Sequence, residues 1–480
     1  MTPSLFMTFR RRLGAALVGS VAATLVASFG FVATAHADEN DLIKRGEYLA
    51  KAGDCIACHS APQGKPFAGG LSLSTPLGAI VSSNITPSKT NGIGNYTLEQ
   101  FDAALRRGVR ADGQHLYPAM PYTSYAQVDD DDVKALYAYF MHGVTPVDTS
   151  PPQTQLPFPF NVRLSMAAWN LLFLDRKPFA PDPSKSVEWN RGAYLVEGLA
   201  HCSTCHTPRN PLMAEDTSKS LGGSVVGTWY APNISSDPTS GIGAWSEADI
   251  AGYLRTGHVI DRAQAAGPMA EAVDNSFQHL TDSDLHAMAV YLKSTPAVHN
   301  SADQRPPYAW GSPKASFDEV RGEPLPADAN QMSGPQLYDS YCASCHQAHG
   351  EGAGQGIDGP GLPSLFHNTA LGHANTNNLV MVMLEGVHRQ ASAPDVMMPA
   401  FGRLLSDEQV ATLGNYVLKQ YGNPDASVTV EQVKSLRAGG EASPLIAITH
   451  IAMIVAALIV LGIVVLLIAR RSRRRTSALR

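Results

Sequence analysis

At 480 residues, 44% of them hydrophobic and 16% charged, the chain is long enough for about three domains and too apolar to be disordered. Its formal charge of −6 hides an uneven distribution. Setting aside three arginines near the start and six at the end leaves 27 basic against 42 acidic residues, or −15 for residues 38–469; so acidic a body argues against nucleic acid as a partner.

Residues 1–37 read as a secretory signal. Arg10, Arg11 and Arg12 give a positive start, an apolar stretch runs from Leu13 to Ala33, and Ala35-His36-Ala37 is an A-x-A-like cleavage site. The mature chain is then expected to begin at Asp38. The length of the apolar stretch leaves an uncleaved anchor as the competing reading.

Three regions of similar order follow. Residues 38–150 carry Arg45-Gly46-Glu47-Tyr48-Leu49, then Cys55-Ile56-Ala57-Cys58-His59, then a Gly/Pro-rich loop with Ser83-Asn84-Ile85-Thr86 and Gly92-Ile93-Gly94. Asp129-Asp130-Asp131-Asp132 then leads into a closing helix over Val133–His142. Residues 188–296 repeat this unit with Arg191-Gly192-Ala193-Tyr194-Leu195, Cys202-Ser203-Thr204-Cys205-His206, Pro232-Asn233-Ile234-Ser235 and Gly241-Ile242-Gly243. Thr281-Asp282-Ser283-Asp284 leads into its closing helix, Leu285–Ser294. Residues 331–425 keep only Cys342-Ala343-Ser344-Cys345-His346, a loop around Asp358-Gly359-Pro360-Gly361 and the capping box Ser406-Asp407-Glu408-Gln409 before Val410–Gln420. The motifs start 147 and then 140 residues apart, one small domain per repeat. Tyr139, Tyr291 and Tyr416, in the closing helices, read as packing residues.

Proline-rich linkers over 151–187 and 297–330 are expected to space these domains semi-rigidly. Within the first, Val162–Leu174, with Trp169, Leu171, Leu172 and Phe173, is apolar enough to pack on a neighbouring domain or another subunit. The two Asn-Ile-Thr/Ser segments are sequons by pattern, but their place in the repeat favours a structural role. A tether over 426–443 leads to an apolar segment over 444–469, uncharged from Leu445 to Ala469. These 25 residues, at about 1.5 Å each, exceed the ~30 Å hydrocarbon core. The basic tail 470–480 (Arg470, Arg471, Arg473, Arg474, Arg475) fixes the expected topology, with the tail cytoplasmic and the body across the membrane. His450, inside the span, reads either as a quinone contact or as an interfacial histidine without a role.

All six cysteines fall in C-x-x-C-H motifs, which leaves none for a disulfide. Two thiols three residues apart lie on one face of a helical turn and can form thioethers with the two vinyl groups of one haem, with the next histidine as proximal iron ligand. Cys55, Cys58, Cys202, Cys205, Cys342 and Cys345 are therefore the expected attachment sites of three covalent haem c groups, and His59, His206 and His346 the expected iron ligands. A redox C-x-x-C or half of a zinc site is the competing reading, which three copies consuming every cysteine disfavour.

A methionine follows each motif in a Pro- or Gly-flanked position: Met120, Met269 and Met398, at gaps of 61, 63 and 52 residues from the histidine. His/Met ligation closes the iron and raises its potential; the alternative is core filling. Met397 competes with Met398, which is favoured because Met120 also directly precedes a proline. His115, His142, His258, His279, His367, His373 and His388 recur at no fixed place and read as surface or supporting residues. The expected fold is thus mainly α, with three tandem class I-like cytochrome c domains and one C-terminal transmembrane helix.

These motifs, with Leu116-Tyr117-Pro118-Ala119-Met120-Pro121-Tyr122 and Ala266-Gly267-Pro268-Met269-Ala270-Glu271, resemble the triheme cytochrome c subunits of membrane-bound dehydrogenases from acetic acid bacteria and their relatives. The resemblance covers nearly the whole mature chain. It implies a large dehydrogenase subunit and a small subunit as partners, and delivery of electrons to membrane ubiquinone at the inner membrane. Thr154-Gln155-Leu156-Pro157-Phe158-Pro159-Phe160 resembles members paired with flavin-dependent gluconate, sorbitol or fructose dehydrogenases. Cytochromes of quinoprotein alcohol and molybdenum aldehyde dehydrogenases share most of the pattern. The residues agree: there is no nucleotide-binding Gly fingerprint and no nucleophile elbow, and haem moves single electrons, so a two-electron substrate oxidation belongs to another subunit. No catalytic residue is assigned. A peroxidase would need an open iron position, and a terminal-oxidase subunit is the remaining alternative.

Overall fold

The structure, a computed structural model, describes residues 39–477 except 315, 317, 319, 321, 354–360, 391–394 and 441–444, with side chains described to residue 470. The expected signal sequence and Asp358, Gly359 and Pro360 lie outside the described residues. The described fold is mainly helical, with four two-stranded antiparallel hairpins among the described residues.

Each motif region is framed by two crossing helices. The leading helices run over residues 39–52, over Val187–Ala193 with a wide-turned continuation Tyr194–Leu199, and over Gly334–Tyr341. The closing helices are Asp130–Ala138 with its continuation Tyr139–Gly143, Asp282–Leu292 and Asp407–Tyr421. Their caps are those the sequence signals. The Asp129 carboxylate accepts from the Asp132 amide, the Thr281 hydroxyl from the Asp284 amide, and Ser406 and Gln409 form a reciprocal box. The crossings explain the two Arg-Gly segments: a Cβ at Gly46 would strike the carbonyl of Ala135, and one at Gly192 the carbonyl of Ala287. Only glycine lets backbone approach backbone that closely.

The hydrophobic core does not follow the repeats one to one. Leu49, Phe101, Val133, Leu136 and Phe140 of the first region and Leu195, Leu199, Ile250, Leu254, Leu285 and Met288 of the second belong to one continuous buried cluster. The third region has its own, built from Leu337, Tyr338, Met381, Leu384, Val410, Leu413 and Tyr421. The stretch between the first two motif regions therefore wraps a shared core rather than holding two bodies apart.

A reciprocal polar exchange accompanies the shared core. Arg45 Nε donates to Asp132 Oδ1 (2.8 Å), and Tyr194 of the second region donates its hydroxyl to Asp132 Oδ2 (2.6 Å). Arg191 binds Asp284 through Nε and Nη2 (2.8 and 2.7 Å), and Tyr48 of the first region donates to Asp284 Oδ2 (2.6 Å). Each tyrosine oxygen in turn accepts the amide of the other region's capping residue, Asp129 or Thr281. The two regions thus exchange equivalent contacts, as the halves of a two-fold dimer do.

The connector contributes the helix Ser165–Phe173. Its inner side packs on the first region: the Tyr122 hydroxyl donates to Asn170 Oδ1 (2.8 Å), Leu174 is buried, and Trp169 meets Tyr122 edge-on. The C-terminal helix Leu445–Ser477 contains one stretch, Leu445–Arg470, long and apolar enough to cross a membrane, and none of its most apolar window is buried against the body. His450 has a structural contact, its Nε2 lying 2.8 Å from the carbonyl of Phe158.

Candidate haem-binding sites

Each C-x-x-C-H segment forms a single helical turn: Cys55–Cys58, Cys202–His206 and Ala343–His346. Two of these turns follow a residue held at positive φ, Asp54 (48°) and His201 (38°), which ends the leading helix and turns the chain sharply into the motif. None of the six cysteines is paired in a disulfide; Cys345 is exposed and the rest are half-buried.

Burial opposes ionisation of the buried thiols. Burial, reinforced by Asp54, pushes Cys55 up to about 12 and Cys58 to about 11; burial, reinforced by Glu197, pushes Cys202 to about 12, and burial with Cys345 beside it does the same for Cys342. A redox-active C-x-x-C needs the opposite, a depressed thiol. Among the described residues no group of three or more His, Cys, Asp or Glu side chains is arranged to hold a metal ion.

The histidines share one geometry. His59 Nδ1 lies 2.7 Å from the carbonyl of Ser83, His206 Nδ1 2.6 Å from that of Pro232, and His346 Nδ1 2.9 Å from that of Pro363. Ser83 and Pro232 are equivalent repeat positions, each directly before the Asn-Ile pair. A carbonyl on Nδ1 fixes the tautomer and leaves Nε2 with its lone pair, the arrangement of a metal-ligating imidazole. Burial also lowers the pKa of all three rings, against the pull of the carbonyl, and keeps them neutral. The donor set therefore fits covalent haem: two thiols on one helical turn, and beside each pair an imidazole with one free nitrogen.

The carbonyl anchors are held by the residues of the two sequons. Asn84 is buried, accepts the Thr86 amide (2.9 Å) and donates to the carbonyls of Val147 and Thr149 (2.7 and 3.0 Å). Asn233 accepts the Ser235 amide (2.8 Å) and donates to Val298 (2.6 Å). Each ties its haem loop to the chain leaving the closing helix. The sequence pattern marked these asparagines as structural, but the histidine anchors are backbone carbonyls and carry no side-chain signal.

The methionines differ in setting. Met120 and Met269 are half-buried against the shared core, as are Cys55 and Cys202. Met398 ends the strand Val396–Met398, which pairs with Val387–Arg389, and is half-buried, whereas Met397 is 74% exposed. Successive strand residues point to opposite faces, so only one of the two can turn inward. The helix Pro268–Asn275, which carries Met269, also packs against the first region's motif turn, and Tyr125, just after Met120, donates to the Gly53 carbonyl (2.9 Å) and meets His201 edge-on. The first two motif sites are thus adjacent, with residues of each region reaching the other's motif.

Of the remaining histidines, His373 is buried against Tyr230, and burial lowers its pKa to about 4. His258 is tied to Gln264, and His367 Nδ1 contacts the Tyr308 carbonyl. The first joins the second and third regions, the His258 contact lies within a hairpin of the second, and the His367 contact ties the third region to the preceding linker.

A profile of the cytochrome c family matches residues 43–143 and 331–420. The second motif region lies outside those two segments. The chain is 47% identical over 413 residues to the fructose dehydrogenase cytochrome subunit of Gluconobacter japonicus, covering 84% of each protein. It is 41% identical over 440 residues to the gluconate 2-dehydrogenase cytochrome c subunit of Pantoea cypripedii, covering 88% of this chain and 95% of that one. It is 39% identical over 435 residues to the cytochrome c subunit of the quinone-type alcohol dehydrogenase of Komagataeibacter europaeus, covering 88% and 89%.

Proposed function

This chain belongs to the family of cytochrome c subunits of membrane dehydrogenases, and from that premise we propose that it carries electrons through three covalent haems c from a partner dehydrogenase to membrane ubiquinone. The observation that carries the count of three is the repeated carbonyl anchor on His59, His206 and His346, which prepares the third and the second imidazole as it does the first. Cys55 and Cys58, Cys202 and Cys205, and Cys342 and Cys345 would hold the haems as thioethers, with His59, His206 and His346 and with Met120, Met269 and Met398 as the residues that would ligate iron. Bound haem supplies one-electron redox chemistry at its iron.

The chain's own residues orient and shield these groups. The shared core keeps the first two motif turns adjacent, while the third region stands as a separate body with a separate core. Three tandem class I-like domains and a cleaved signal complete the reading. The haem domains lie on the periplasmic side of the inner membrane, and the basic tail in the cytoplasm. The likeness to fructose and gluconate dehydrogenase cytochrome subunits supports a partner acting on a sugar, sugar acid or polyol, and the resemblance of Thr154–Phe160 adds a flavin-dependent large subunit with a small subunit beside it.

Two measurements test this. The intact mass of the mature chain is expected to exceed its polypeptide mass by three haems; two would remove one motif from the proposal. Membranes with and without the chain are given fructose, gluconate, sorbitol or ethanol, and the visible bands of reduced c-type haem are followed. Reduction by one substrate only when the chain is present names the partner. Reduction by none, while dithionite reduces the haems fully, overturns the dehydrogenase link and turns the assignment toward an oxidase.

A further inference from the structure

The connector helix Ser165–Phe173 is apolar on both sides, yet among the described residues only one side is packed. Trp169, Asn170 and Leu174 turn to the first motif region. Leu164, Ala168, Leu171 and Leu172, at spacings of four, seven and eight, form the other stripe, with Leu164 75%, Leu171 82% and Leu172 67% exposed. Phe158 and Val162, one turn earlier, are exposed as well, as is Leu212, whose carbonyl accepts the Trp169 indole N–H (2.9 Å). A contiguous apolar surface of this kind on a folded body marks a docking face.

Its position says what covers it. The carbonyl of Phe158 contacts His450, five residues past Leu445 and so roughly 8 Å from the outer end of the apolar stretch. Successive turns, from Phe160 to Pro157, Val162 to Pro159 and Ser165 to Val162, then carry the chain directly into the helix. The patch therefore starts where the span leaves the body. Its charge fits the same place: between Phe158 and Lys177 the chain has three basic residues (Arg163, Arg176 and Lys177) and one acid (Asp175), in a body that is otherwise strongly acidic. Apolar side chains flanked by basic ones, with a tryptophan at the margin, are the composition of a segment lying in a membrane interface.

We propose that the outward face of Ser165–Phe173, with Phe158 and Val162, lies in the outer lipid interface as a second membrane contact beside the C-terminal span. The first motif region is thereby held against the bilayer and cannot swing about a single helix. The proposal rests on the reading of Leu445–Arg470 as a span, and the test separates the two.

A nitroxide label is placed at Leu171→Cys, at Ile459→Cys in mid-span and at Lys134→Cys on the exposed side of a closing helix. The full chain, with the subunits that purify with it, is reconstituted in phosphatidylethanolamine–phosphatidylglycerol vesicles, and the unsubstituted chain, labelled in parallel, corrects for native thiols. At Leu171 and Ile459, collisions with oxygen are expected to exceed those with a water-soluble nickel chelate several-fold, and at Lys134 the order is expected to reverse. A Leu171 label open to nickel places the face in water and overturns the proposal. A Leu171 label shielded from both relaxants places it under a protein partner and also overturns it. If Ile459 itself is open to nickel, the span reading fails first.

Discussion

Between the first two motif regions the chain buries a continuous apolar cluster and crosses it with Tyr48–Asp284 and Tyr194–Asp132. Between the second and third the cores stay separate: Trp229 packs at the margin of the third core, Tyr230 meets His373 edge-on, and polar contacts join them. Arg389, 1% exposed, donates to the Ala265 carbonyl (2.9 Å) and to Gln264 Oε1 (3.2 Å), the Gln390 amide donates to Asp274 (2.9 Å), and Tyr230 and Asn378 exchange two bonds (2.9 and 2.8 Å). Apolar area buried in common makes two regions cooperative, whereas polar contacts between finished cores can open without unfolding either. The first two motif sites are accordingly a fixed pair, and the third is an attached body.

The most direct way to break the pair is at its helix crossings. Gly192→Val drives a side chain into the Ala287 carbonyl, and because the closing helix lies in the shared core, both regions are expected to lose stability together, by about 3 kcal/mol or more. Thermal unfolding followed separately by probes in the two motif regions would show it. A variant as stable as its parent, or one that loosened only the second region, would contradict the shared core.

Removing one reciprocal acid comes next. Asp132→Ala leaves the Tyr194 hydroxyl and Arg45 without their acceptor, at a cost of roughly 2–3 kcal/mol; Asp284→Ala is expected to cost a similar or somewhat smaller amount. Asp284 also gives a pH signature. Burial opposes its ionisation, but hydrogen bonds from Arg191 and Tyr48 outweigh that and hold its pKa below the usual carboxylate value. A depressed folded pKa contributes stability that is present above the unfolded value of about 3.9 and is lost as pH falls through the folded one. Acid titration of the parent should therefore show a loss below about pH 4 that Asp284→Asn lacks. Identical acid profiles would mean the pair contributes nothing.

The tyrosines sharpen the point at smaller scale. Tyr48→Phe and Tyr194→Phe are each expected to cost about 1 kcal/mol in denaturant unfolding. Paired with removal of its own acceptor, each should become nearly silent, while with the other acceptor the costs should add. Additivity in both cases would mean the hydroxyls do not act through the acids they touch.

How much of this was legible follows from where each signal is stored. The C-x-x-C-H turns, the caps at Asp129, Thr281 and Ser406 and the Arg-Gly-x-Tyr repeats are local and stand in plain view. Arg45, Tyr48 and Asp132 were visible too, as were Arg191, Tyr194 and Asp284, but a repeat pattern cannot tell whether a tyrosine serves its own region or the other one. That choice is made by long-range packing. The histidine anchors were invisible because a carbonyl has no residue type. Val162–Leu174 was read as apolar enough to pack, and so it is on one side; the outward stripe emerges only once Asn170 and Leu174 are seen to face inward.

The smallest effect is expected where the comparison is most easily misread. Arg389 is a buried cation that donates to a carbonyl and a side-chain amide, so its deep burial could be mistaken for a main support of the fold. Replacing a buried charge by an apolar chain of similar length is often close to neutral, because the desolvation cost leaves with the bonds. Arg389→Met should therefore change global unfolding by less than about 1 kcal/mol. Its effect should appear instead as faster amide exchange in Val387–Arg389 and at Gln390, where the third region meets the second, with Leu285 and Leu413 in the two cores unchanged. If Arg389→Met lowered the stability of all three regions together, the junction would be part of a single cooperative unit, and the third region would have to be counted with the pair.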